Sequence, residues 1–288
     1  MKQPPKKRMI LFLGQAFWVF LILFGLGFSP GVRAEFTLLP ESRHQQYLTY
    51  ALFTEEHTSL LLRDSGRAWG AVAGGIALLE APDWRWRPQL IVHASANASF
   101  RLNASYAGLL TDTIDARAGL AVEMALRQDL RLSIGWTHYS GHIADNVPDK
   151  DLIGSNLGDE FLPIRLIYDG HPNFRAGGTL KPLFSSDPKM LLFAADQFIE
   201  WFPFGNREAE KAGTPFVSLG ADQMGRNHLV LSTNAMIGCY LGSHLMEKHG
   251  SAARAVLGYY QGWNPALKYA EFKDSQVQFV YSGLMVDF

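Results

Sequence analysis

The sequence predicts an all-β protein: an antiparallel transmembrane β-barrel of about 12 strands behind an N-terminal signal peptide. Three observations predict it. The N-terminus is basic and then apolar, most of the remaining chain alternates apolar and polar residues, and the last strand ends in Phe288.

Lys2, Lys6, Lys7 and Arg8 precede an almost wholly apolar run over residues 9–28. Pro30 and Val32-Arg33-Ala34 follow, with small or permissive residues where a signal peptidase reads. Cleavage is expected after Ala34, so 1–34 is the signal peptide and 35–288 the barrel. The alternative is an uncut anchor, because the run is long enough to cross a bilayer. Both readings export the rest of the chain, in which no second run of about 18 apolar residues occurs.

The 26 Lys+Arg and 27 Asp+Glu nearly cancel, so no nucleic-acid partner is expected. Hydrophobic residues make up 48%, charged residues only 18% and aromatic residues 12%. That profile suits a barrel with an apolar outside and aromatic girdles, and also a soluble β-rich enzyme. Cys239 is the single cysteine, which excludes an internal disulfide and a thiolate metal cluster. No phosphate loop, nucleotide fingerprint or zinc helix motif is present, and no cofactor is expected.

The strands follow from period two. Ala118, Leu120, Val122, Met124 and Leu126 share one face; Arg117, Glu123 and small residues share the other. After Arg127-Gln128-Asp129, the residues Leu130, Leu132, Ile134 and Trp136 lie opposite Arg131, Ser133, Gly135 and Thr137. Leu162, Ile164, Leu166 and Tyr168 lie opposite Arg165. Further strands are expected near 46–54, 68–79, 87–97, 100–110, 174–183, 190–202, 215–223, 228–241, 253–261 and 277–288. In a barrel the apolar face meets lipid, and Arg117, Glu123, Arg131, Arg165, Asp196 and Glu200 point inward. Val280, Leu284 and Val286 share the face of Phe288, as in the terminal strand that the barrel-assembly machinery reads. The short connections 127–129 and 169–173 are expected at the periplasmic end, and the longer ones, 143–158, 204–214 and 262–275, outside the cell. Trp84 and Trp86 around Arg85 read as an interfacial girdle.

One constellation carries chemistry. Trp136-Thr137-His138-Tyr139-Ser140-Gly141-His142 continues an outward strand face, so His138, Ser140 and His142 sit above a girdle Trp. Serine needs a base to become a nucleophile, histidine is the usual base near neutral pH, and a third group orients the imidazole. Even positions of the next strand place Glu160 first for that role, with Asn156 and Asp159 behind it. Glu160 falls opposite Ser140, or opposite His138 if the register moves by two. The Gly141 N–H is a candidate oxyanion donor. A metal held by His138 and His142 with Asp145 or Asp159 is the competing use of these side chains.

His138, Ser140 and Glu160 resemble the sites of two families, the outer-membrane phospholipase A and the lipid A 3-O-deacylase. Both set a His-x-Ser pair on an outward strand face beside an Asn or Glu of the neighbouring strand. The insertion between Ser140 and the third member is longer here. His138-Tyr-Ser-Gly-His142, Asn156-Leu-Gly-Asp-Glu-Phe161 and Gly258-Tyr-Tyr-Gln-Gly-Trp-Asn-Pro265 also resemble a bacterial family, a domain of unknown function expected to form a barrel. Residues 143–155 interrupt that family's His-rich motif here. The first two resemblances imply a Gram-negative outer-membrane barrel that hydrolyses acyl esters of lipopolysaccharide lipid A or phospholipid; the third implies a barrel and no activity. In the hydrolase expectation Ser140 would be the nucleophile, His138 the base and Glu160 the orienting acid. The rival expectations are a non-enzymatic barrel, either a small pore or a structural envelope protein, and a soluble periplasmic β protein.

Overall fold

A computed structural model describes residues 35–49, 52–53, 55, 57–64, 66–103, 108–143, 157–187, 193–204, 213–224, 229–242, 252–265 and 276–287. The signal segment, 1–34, lies outside them. Twelve antiparallel strands close into a barrel. They are β1 Thr58–Arg63, β2 Arg67–Glu80, β3 Gln89–Asn103, β4 Gly108–Arg127, β5 Leu130–Ile143 and β6, in two parts, Leu157–Phe161 and Ile164–His171. Then come β7 Phe174–Asp187, β8 Phe193–Trp201, β9 Pro215–Met224, β10 Val230–Gly242, β11 Ala252–Trp263 and β12 Gln276–Asp287. Each strand pairs with its neighbour in sequence, and β12 pairs with β1 from Tyr281↔Arg63 to Val286↔Thr58, which removes the sheet edges. Thr37–Leu38 adds a short bridge to Glu80 and Leu79 of β2.

β6 breaks at Leu162-Pro163 because proline has no N–H to give the ladder. The break does not disturb its register with β5: Leu132↔Leu166 and Ile134↔Ile164 continue as Thr137↔Phe161 and His138↔Glu160. Pro163 still accepts a hydrogen bond from the Gly135 N–H at 3.0 Å.

The outer wall is apolar. Leu60, Val72, Ile76, Leu166, Leu180, Leu257, Val280 and Leu284 are all exposed, and each alternates with a buried or half-buried neighbour. An exposed apolar face alternating with inward residues is the pattern expected of a barrel that crosses a bilayer. Leu180 is 60% exposed on this face, and Leu180→Arg is expected to destabilise the barrel by about 2–4 kcal/mol in a bilayer. Urea unfolding in lipid vesicles measures it.

Several expected elements differ. Residues 46–54 are not a barrel strand: their described part is the end of a 3-10 turn, His44–Tyr47, followed by irregular chain. The first strand is the short β1, which the alternation did not mark. The expected strands at 87–97 and 100–110 resolve into β3 and the start of β4. Because strand direction alternates, the connection at 204–214 lies on the same rim as the tight turns after Arg127 and His171, not on the rim of 143–158 and 262–275. Loop length does not sort the two rims.

The chain before β1 plugs the barrel. His44, Tyr47, Leu48, Thr49, Leu52 and His57 are buried. Arg165 of β6 donates to the Tyr47 carbonyl at 2.8 Å, and Arg175 of β7 to the Leu48 carbonyl at 2.6 Å. Irregular backbone buried inside a barrel needs such donors, since no strand pairs with it. Thr49 Oγ1 donates to Glu200 Oε1 at 2.6 Å, and Glu55 pairs with Arg165 at 2.8 Å. The His44 ring bonds Glu123 and lies over Gly75, where a Cβ would come within 2.5 Å of it.

Beside this charged half, the interior is aromatic. Phe53 of the plug meets Trp69, Tyr260, Phe279 and Tyr281 with ring centroids 5.0–5.5 Å apart. The six expected inward charges do point inward, but charges fill only part of the lumen. A cavity of about 70 Å³ between plug and wall has room for a few waters.

Candidate functional site

The site stands on the outer face of β5 and β6, near the rim where β5 ends at Ile143 and β6 begins at Leu157. Trp136, His138 and Ser140 are half-buried and His142 is exposed, while Thr137 and Gly141 between them are buried. Tyr139, also half-buried, lines the interior cavity with Thr137, so the two faces still alternate and the polar face continues that of Leu132 and Ile134.

Glu160 stands directly opposite His138, and Gly158 opposite Ser140. The sequence left two registers open, and this is the one shifted by two. Since Gly135 donates to Pro163, the backbone groups of 137, 139 and 141 also turn toward β6, and His138–Glu160 is a non-hydrogen-bonded pair. In such pairs the Cα atoms come within about 4.5 Å, the closest approach a ladder offers side chains. His138 Nδ1 lies 3.8 Å from Glu160 Oε1, with side chains 41% and 31% exposed. That is an ion-pair distance rather than a hydrogen bond. No hydrogen bond joins His138 to Ser140; their i, i+2 spacing puts the Cα atoms about 6.5–7 Å apart. Catalytic hydrogen bonds are commonly loose before substrate binds.

A second feature bears on Glu160. The pairing of β6 with β7 shifts between Glu160↔Ser185 and Phe161↔Leu183, leaving Phe184 as the extra residue. Bulges re-aim side chains and are frequent beside functional sites. This one sits at Glu160.

The surroundings of Ser140 are small. Ala116 pairs with it from β4 and Gly158 from β6, and Ala118 flanks His138. A Cβ at Gly158 would meet only His138 Cε1, at 3.9 Å. Sequence reading missed these flanking residues, because small residues at paired positions show only once the register is known.

Other expectations are corrected or fall outside the described residues. Asp159 is 3% exposed and faces the lumen, so it cannot orient His138, nor join His138 and His142 around a metal. Asn156 and Asp145 lie outside the described residues. Among the described residues no group of three or more His, Cys, Asp or Glu is placed to hold a metal. By the alternation above, the Gly141 N–H points to Leu157 within the ladder, so it is not available to an oxyanion while that pair holds.

Comparison with solved structures gives the same architecture. The outer membrane phospholipase A of Escherichia coli superposes with TM-score 0.51 at 12% identity, over 80% of this chain and 91% of that one. The Salmonella typhi outer membrane phospholipase, a dimer with bound calcium, gives 0.50 at 14% identity, over 80% and 89%. An active-site mutant of the E. coli protein at pH 6.1 gives 0.51 at 13%, over 80% and 88%. At such identities the likeness is one of fold. No family model matches the sequence and no curated protein aligns with it significantly, so the likeness to a domain of unknown function rests on its motifs alone.

Proposed function

We propose that this barrel spans the outer membrane and hydrolyses acyl esters of outer-leaflet lipid, whether lipid A or phospholipid, with Ser140 as nucleophile, His138 as base and Glu160 as orienting acid. The observation that carries the reading is the cross-strand pair His138–Glu160 on the lipid-facing surface, one step from a serine flanked by alanine and glycine. A soluble hydrolase buries its site in a cleft, whereas His138 and Glu160 stand on the outer face of the barrel with side chains 41% and 31% exposed. The fold shared with outer membrane phospholipase A supports the reading. The rim carrying both ends of the strand sequence faces the periplasm, which sets Ser140 at the outer leaflet.

In the reaction His138 takes the hydroxyl proton as Ser140 attacks the ester carbonyl. The imidazolium that forms is stabilised by Glu160 and returns the proton to the leaving alcohol. Water then releases the acid from the acyl-serine by the same path in reverse. The experiment is mass spectrometry of outer-membrane lipids from cells making wild-type protein or Ser140→Ala in equal folded amounts. A lysolipid or an under-acylated lipid A that depends on Ser140 supports the reading and identifies the substrate; identical lipids refute it.

Glu160 is expected to act by orienting, not by burying a charge, since its side chain is 31% exposed. Glu160→Ala is expected to lower kcat about 100-fold, and Glu160→Gln by less, because an amide oxygen still accepts the Nδ1–H. Initial rates on a micellar ester measure both.

A further inference from the structure

The opposite rim holds a second lipid-facing feature that catalysis does not use. Between β2 and β3 the chain turns through Trp84, Arg85, Trp86 and Arg87. This turn and the end of β4 enclose an open groove of about 780 Å³, lined by Arg85, Trp86, Arg87 and Arg127 with Ala125, Leu126, Gln128 and Asp129. The turn is rigidly held. Ala125 N donates to the Trp86 carbonyl at 3.0 Å, Arg87 N to the Trp84 carbonyl at 2.9 Å, and Arg43 Nη2 to the Arg87 carbonyl at 2.6 Å. These bonds hold Arg87 at φ 42°, a left-handed conformation costly for arginine. Such strain persists only where the surroundings over-determine it, and it gathers at binding sites.

The charges are not balanced. Arg43 and Arg87 both rest on Glu80 at 3.1 Å, and Arg127 on Asp129 at 2.9 Å. The Arg127 side chain is 72% exposed, so a stronger acceptor can take it from Asp129. Arg85 is exposed and has no acidic partner among the described residues. The one further carboxylate in the turn, Asp83, is exposed. Guanidinium groups bind phosphate by two parallel N–H bonds, and tryptophan settles at the headgroup level.

We propose that this groove binds the phosphate of an anionic glycerophospholipid from the leaflet opposite the catalytic one, with Arg85 and Arg127 as its ligands and Trp86 against the glycerol. The proposal rests on the membrane-spanning reading but not on hydrolysis. Its test therefore uses Ser140→Ala, in which bound lipid stays intact. The protein in non-ionic micelles is given phosphatidylglycerol or phosphatidylcholine, and retained lipid is counted by native mass spectrometry. Phosphatidylglycerol is expected to be held at least tenfold more tightly than phosphatidylcholine, and Arg85→Gln/Arg127→Gln to lose that preference while keeping the heat-modifiable mobility of a folded barrel. Arg87 is left intact because it holds Glu80. Equal retention of the two lipids, or a double variant that binds as the parent does, overturns the site. Displacement of the lipid by millimolar inorganic phosphate overturns the lipid assignment in favour of a free-anion site. A protein that stays soluble without detergent contradicts the membrane reading itself, a separate failure.

Discussion

Ser140→Ala is expected to lower acyl-ester hydrolysis by at least about a thousandfold with the barrel intact. Removing the nucleophile of a triad leaves only what binding and electrostatics supply. The structural consequence is small, because Ser140 is half-buried on the lipid side and makes no hydrogen bond to His138. Alanine there matches Ala116 across the ladder. His138→Ala is expected to fall by a similar factor, and the double variant no further, because groups that act as one unit are not additive. Turnover of a detergent-dispersed ester, with folded protein quantified by heat-modifiable mobility, measures all three. If the losses multiplied, the residues would not share a mechanism.

The second large effect is on stability. Arg175→Ala is expected to cost about 3–5 kcal/mol, because it strands a buried charge. Arg175 is 3% exposed; it bonds Glu200 Oε2 at 3.2 Å and the Leu48 carbonyl of the plug at 2.6 Å. Glu200, fully buried, would keep Thr49 but lose the Arg175 guanidinium, and the plug would lose a backbone donor. Arg175→Leu/Glu200→Leu removes both charges and is expected to recover most of the loss, although the Leu48 carbonyl stays unanswered. Urea unfolding in vesicles reads the energy. Planar-bilayer recordings read the plug: the wild-type protein is expected to show no steady conductance, and Arg175→Ala intermittent openings. A steady wild-type current would favour the pore reading.

The outer face was the legible part of the fold. Leu130, Leu132 and Ile134 against Leu166 and Ile164 alternate cleanly because lipid accepts only apolar side chains there, and the structure keeps those pairs. The lumen was not legible, because it accepts charges and aromatics alike. Tyr259 faces out and Tyr260 faces in, so adjacent tyrosines erase the period. The plug misled for a related reason. Tyr47-Leu48-Thr49 and the residues after it have the composition of a strand, yet Arg165 and Arg175, more than a hundred positions away, take the carbonyls that a ladder would have used.

The placement of the candidate site was legible to within one choice of register. Period two puts Glu160 on the face of His138 and Ser140, but a shift of two residues keeps every apolar pair on the same side. Pro163 was an available signal for the interruption of β6. The bulge at Phe184, which adjoins Glu160, depends on a partner strand that sequence patterning could not align. Gly158 and Ala116, which open the approach to Ser140, gain meaning only from that alignment.

An activated serine is the centre of the account, and covalent labelling tests it most directly. The purified protein in micelles is treated with a long-chain alkyl fluorophosphonate, and the modified peptide is mapped by tandem mass spectrometry. The expected result is one adduct, on Ser140, formed slowly or not at all in His138→Ala. An unmodified Ser140 in a folded, micelle-embedded barrel, or an adduct that forms equally fast without His138, would contradict it.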